Sequence, residues 1–386
     1  MARTTHELLD ADRLNRATLA RQLLLERSAL GAVEALEQVA GLQAQEAASP
    51  FIGLWTRLAG FETTALQAAF RERLAVKTSL MRVTLHVVTA REYPSLIAAL
   101  LPMLRGPGAT IRRGVARPER IPEIVAAAAR YAAEPRRSVD LRAFIAGLTD
   151  GDPLDTTLWW WIRRHLPLVH VPDESAWSFG RRPVLVTPGA WLGDARMNDG
   201  AAVPRDEALT WLVRRYLAAF GPATLPDIAA WCGVSSTDLR RGVDRLDATG
   251  DLLRFSDESG RVLLDLADAP RPPGDVTAPV RLLPMWDNLL LAFRDRSRVI
   301  ADELRPILVA KNGDVLPSFL VDGRVAGLWF AEADGPRTRI VLEPFGTLGR
   351  SDRLALEAEA ERLAAFVEPF EPAMYARYRS TKARRR

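Results

Sequence analysis

Two glutamines, Gln43 and Gln45, interrupt the stretch VAGLQAQEAASPFIGLWTRLAGF between Val39 and Phe61. A carboxamide has no pKa suited to general-base work, but its carbonyl accepts hydrogen bonds and its NH2 donates them. Residues two apart lie on opposite sides of an α-helix but on the same side of an extended segment. If the chain leaves helical geometry near Gly41, both carboxamides point at one spot. That spot is either a binding site or open water.

Other chemistries find less support. His6, His86, His165, His170 and the single cysteine, Cys232, show no ligand spacing, so no metal site is expected. Neither a GxGxxG fingerprint nor a P-loop occurs, and no GxSxG elbow, so no cofactor is expected. The run Trp159–Trp161 suggests base stacking, but three consecutive residues cannot share a helical face, which favours packing. Of 52 basic residues only Lys77, Lys311 and Lys382 are lysines, which leaves 49 arginines and few amines for covalent chemistry.

The elements that position these residues follow from length and pattern. A chain of 386 residues exceeds one ordinary core. Hydrophobic content of 48% with 26% charged residues is that of a globular protein. No uncharged apolar run of about 18 residues occurs, so no membrane partner is expected. The N-terminus lacks the apolar core of a signal peptide, and one cysteine fits a reducing compartment, so a cytoplasmic location is expected. A net charge of +4 permits a nucleic-acid partner without demanding one.

Helical spacing over Asp12–Arg27, Gly31–Val39, Phe51–Leu58 and Thr63–Arg73 is followed by AVKTSLMRVTLHVVT, which predicts a hairpin turning near Met81 and Arg82. Helices and then a hairpin is the order of a winged helix. A similar order recurs from Ile121 to Leu192 and most clearly from Arg205 to Leu266. A proline-rich linker, Asp268–Pro279, precedes strand-like runs with Asn-Gly and Asp-Gly turns and a closing helix over Asp352–Phe366. The expected class is α+β: tandem winged-helix units at 1–100, 101–200 and 201–267, a small β-rich domain at 280–370, and a basic tail at 371–386. That tail has six basic residues in its last ten and reads as a mobile, phosphate-seeking arm.

Five segments occur in one order: GLQAQEAASPFIGLWTRL, MRVTLHVVT, FGPATLPDIAAWCG, RLLPMWDNLLLAFRDRSR and LVDGRVAGLWF. This set resembles the AlkZ/YcaQ-like family of winged-helix DNA glycosylases, from about Asp12 to Phe370. The resemblance implies removal of bulky alkylated purines from double-stranded DNA, in some members with unhooking of interstrand crosslinks. Gln43-Ala44-Gln45 is similar to the Gln-x-Gln branch, associated with self-resistance to DNA-alkylating natural products, and implies that Gln43 and Gln45 are catalytic. The family's hairpin implies DNA contact by Arg82, Thr84, Leu85 and His86, with Leu85 as a wedge and His86 as a polar tip. Asp287, Arg294, Asp295 and Arg296 also resemble a signature, either facing DNA or joining domains. A monofunctional, monomeric glycosylase is expected, and a non-catalytic DNA-binding regulator or lesion sensor is the alternative.

Overall fold

The computed structural model describes residues 6–106, 120–149, 156–310, 313–335 and 337–383. Two helices set up the glutamine segment. The first, Ala11–Arg21, is capped by Asp10, whose carboxylate accepts from the Arg13 amide. The second, Ala32–Gln38, is followed by Ala40 and Gly41, both at positive φ (61° and 76°). A Cβ at position 41 would lie 2.7 Å from Val88 Cγ1 and 2.9 Å from the Val87 carbonyl, so this reversal requires glycine. Beyond it the chain is extended through Leu42–Gln43 and becomes helical again over Ser49–Arg57. The departure from helix expected near Gly41 is therefore present.

So is the hairpin. Ala75–Ser79 pairs antiparallel with Leu85–Thr89 across a 3-10 turn at Met81–Val83. Among the described residues it belongs to a six-stranded sheet in the order Leu42–Gln43, Leu85–Thr89, Ala75–Ser79, Val169–Val171, Val184–Val186, Arg136–Arg137. This sheet and the helix Tyr93–Arg105 both run across residue 100, the expected limit of the first unit. Alternation sends Val76 and Val88 to a core shared with residues 208–266, and Leu42 and Val87 to one shared with the C-terminal strands.

Helices Arg205–Phe220, Leu225–Cys232 and Ser236–Ala248 precede the hairpin Leu252–Asp257/Val262–Leu266. Here local chemistry sets every joint. Thr224 and Asp227 form a capping box, Gly233 takes the left-handed conformation, and Ser235 caps the next helix. Glu7–Leu9 pairs parallel with Phe255–Asp257.

The C-terminal strands Arg281–Leu283, Ser318–Val321, Arg324–Asp334 and Arg337–Pro344 form an antiparallel sheet covered by the helix Arg350–Val367. Within VRLLPMWDNLLLAF only Arg281–Leu283 is strand, and Asn288–Leu290 is a buried 3-10 turn. Lys311 and Asn312 of the expected Asn-Gly turn lie outside the described residues. The tail departs from a mobile arm through Arg379. Tyr375 is buried with its hydroxyl 2.8 Å from Ser49, while Arg377 and Tyr378 both bind Glu46. Arg379 pairs with Glu332 and Glu343. Acids on the body take up these cations, and two tyrosines anchor them. No described helix is long and apolar enough to cross a membrane.

Candidate active site

Gln43 stands opposite His86 across the strand pair Leu42–Gln43/Leu85–Thr89. It is 5% exposed, and its Oε1 accepts from Arg82 Nη2 at 3.0 Å. Gln45, exposed, reaches the same hairpin: its Oε1 accepts from the Leu85 amide at 2.8 Å, beside the 2.7 Å bond from the Ala44 amide to the Leu85 carbonyl. Both side chains therefore engage the hairpin, Gln43 from a buried strand position and Gln45 from an exposed bend just beyond it.

Two of the hairpin residues, Arg82 and His86, take other positions than the sequence suggests. Arg82 turns inward: its Nη1 donates to the Trp231 carbonyl in the last turn of Leu225–Cys232, where a cation is favoured. Burial, and then repulsion from Arg296, lower its pKa to about 10. His86 is no polar tip. It lies within the strand and is 1% exposed, and its Nδ1 is 2.9 Å from the Thr84 carbonyl. That carbonyl can only accept, so Nδ1 carries the proton. Burial and then the Arg82 charge push the imidazole pKa down to about 3, so it is neutral. Thr84 closes the turn by donating to the Met81 carbonyl, and Leu85 is half-buried.

The second cluster separates in the same way. Asp287 is buried in an ion pair: it accepts from both Nη atoms of Arg57 at 2.8 Å, and both side chains are 0% exposed. Its neighbour Asn288, which nothing in the sequence marks out, donates to the Gly41 carbonyl at the start of the glutamine strand. The Arg294 backbone amide donates to Asp227 at 2.9 Å while the residue is exposed. Asp295 pairs with Arg261 at 2.6 Å. Arg296 is half-buried and close enough to Arg82 to lower its pKa, and no carboxylate pairs with it among the described residues. Arg82 is thus the cation in contact with a glutamine, and Arg296 acts on it from farther off.

Lys77 occupies the other face of the sheet. It pairs with Val87 where Gln43 pairs with His86, and successive residues alternate faces. Its ammonium lies 4.7 Å from the Phe179 ring centroid, and burial lowers its pKa to about 8. Trp159 and Trp161 pack on the cluster around Ile121 and Ile162, in line with packing rather than stacking on bases. No group of acids, histidines and cysteine suited to a metal occurs among the described residues.

The family model described as DNA glycosylase AlkZ-like matches residues 36–366. A Streptomyces sahachiroi protein named interstrand DNA cross-link repair glycosylase is 25% identical over 374 residues, spanning 89% of this chain and 93% of its own. The solved structure of Streptomyces sahachiroi DNA glycosylase AlkZ superposes with a TM-score of 0.76 at 21% identity, covering 95% of this chain and 98% of that one. It has the same mixed α+β fold. The match spans the glutamine strand, the hairpin and the Asp287 ion pair alike, and the chain belongs to the AlkZ-like DNA glycosylase family.

Proposed function

We propose that this glycosylase hydrolyses the N-glycosidic bond of bulky alkylated purines in duplex DNA, leaving an abasic site, with Gln43 and Gln45 as the catalytic pair. The carrying observation is the pair itself: two uncharged amides held on one hairpin, Gln43 by Arg82 and Gln45 by the Leu85 amide. Alkylation at guanine N7 or adenine N3 makes the base a cation and activates it as a leaving group. A general acid is then unnecessary. What remains is to place a water under the anomeric carbon and stabilise an oxocarbenium-like sugar, and positioning alone can remove several kcal/mol of barrier.

Water is the nucleophile in this reading, and the enzyme is monofunctional and monomeric. Lys77, the one lysine near the hairpin, lies on the far face of its sheet. The helix–helix–hairpin units are read as tandem winged helices, the first two joined by one sheet across the expected limit at residue 100. Helix Ser236–Ala248, in the place of a recognition helix, carries three arginines and three aspartates. Arg241 and Arg245 already face Asp206, so a major-groove operator is disfavoured. The Streptomyces sahachiroi relative is named for the repair of crosslinked DNA, which makes crosslinked duplex a substrate to test first.

Incubation with N7-alkylguanine duplex followed by heat should reveal strand breaks at abasic sites. Gln45→Ala should lose excision while retaining most binding to adducted DNA. Equal loss of both would assign the glutamines a structural role and return the protein to the class of DNA binders.

A further inference from the structure

The Gln43 carboxamide has one allowed orientation. A guanidinium holds donors only, so the atom 3.0 Å from Arg82 Nη2 must be the Gln43 oxygen. Its Nε2 is then turned away with both hydrogens. The Leu85 amide fixes Gln45 by the same logic, but with a neutral donor. Arg82 is itself anchored. Its backbone and that of Val83 sit at positive φ (55° and 61°), which curls the turn, and the Trp231 carbonyl holds the other end of its guanidinium. The cation is also well placed to polarise the amide, which strengthens the NH2 turned away from it as a donor.

We propose that Arg82 is a positioning residue that acts through Gln43, pinning its oxygen so that Nε2 is a preset hydrogen-bond donor to an acceptor atom of the lesion-bearing nucleotide. This role rests on the reading of Gln43 as catalytic. A donor already oriented need not reorganise as the bond breaks. The two glutamines thereby differ. Gln43 faces the substrate with its NH2, while the second lone pair of Gln45 Oε1, free of a charged partner, is the better acceptor for a water proton. The hairpin arginine thus serves the chemistry from behind the glutamine instead of reading the groove.

The test combines single-turnover excision, DNA affinity and 15N spectra of the glutamine side chains. Arg82→Met should slow excision by about 100-fold with little change in Kd, the size expected for a misplaced reacting group. In the Gln43→Ala background it should cause no further loss, and Arg82→Lys should restore part of the rate. The Gln43 NH2 signals, assigned by their absence in Gln43→Ala, should shift in Arg82→Met while those of Gln45 stay. If Arg82→Met does not fold, Arg82→Lys carries the same readouts with a smaller rate effect. Losses that multiply in the double variant, or a Kd that rises as the rate falls, would make Arg82 a DNA contact and overturn the proposal. Unmoved Gln43 signals beside an inactive Gln43→Ala enzyme would overturn the role of Arg82 alone. An active Gln43→Ala enzyme would overturn the catalytic reading and this role with it.

Discussion

Replacing Asp287 by alanine strands the Arg57 guanidinium where water cannot reach it. Two bonds at 2.8 Å disappear. What remains is the Gly53 carbonyl at 3.0 Å and a 3.5 Å contact to Gln22, while Nε has no partner at all. An uncompensated buried charge of this kind costs about 3–5 kcal/mol. That is a large fraction of the roughly 5–15 kcal/mol that holds a folded protein together. The loss should come from the orphaned charge rather than the missing contact, so Arg57→Met with Asp287→Leu should recover most of it. Urea unfolding followed by tryptophan fluorescence would measure both, comparing midpoints because a chain with several cores need not unfold in one step. Excision should fall with the single variant, since Asn288 ties the adjacent turn to the Gly41 carbonyl. A cost below about 1 kcal/mol, or a double variant no more stable than the single, would refute the argument.

His86 makes a pH prediction. Its folded pKa is about 3 and its ordinary value 6.5. Between them only the unfolded chain binds the proton, so stability falls as pH drops through that window, by up to about 1.4 kcal/mol per unit. His86→Gln should flatten this dependence between pH 7 and 5, and an unchanged slope would count against the buried neutral imidazole. Arg377→Ala with Arg379→Ala should leave the salt dependence of DNA binding unaltered, because Glu46, Glu332 and Glu343 already hold both side chains. A slope shallower by about one per arginine would place them on phosphates instead. Borohydride added during turnover should trap no protein–DNA adduct, and a covalent band lost in Lys77→Ala would show that an amine reaches the sugar.

The parts of the fold legible in the sequence are those made by neighbours. Thr224, Gly233, Ser235 and Gly260 mark caps and turns within a few residues, so helices 205–248 and their hairpin can be read almost to the residue. Gly41 announces the extended glutamine segment for the same reason. Long-range pairing leaves no such mark. Nothing local links Thr78 to Val169 across the sheet, or Glu7 to Phe255. The apolar run after Pro279 looks like strand because a buried turn needs the same residues as a buried strand. An arginine reads the same in sequence whether it meets solvent, a carboxylate or a glutamine, which hides the inward turn of Arg82 and the docked tail.

The buried ion pairs also order events in time. Arg21 waits for Asp265, 244 residues later, and Arg57 waits for Asp287, 230 residues later. At typical elongation rates of about 5–20 residues per second, each arginine leaves the ribosome roughly 10–50 s before its carboxylate exists. Until then its helix cannot settle into a solvent-free interface without a stranded charge. The glutamine strand, tied to Asn288, is in the same position. A nascent chain cut short before residue 288 would thus lack the contact that holds the glutamine strand, so that strand would be fixed only after about three quarters of the 386 residues are made.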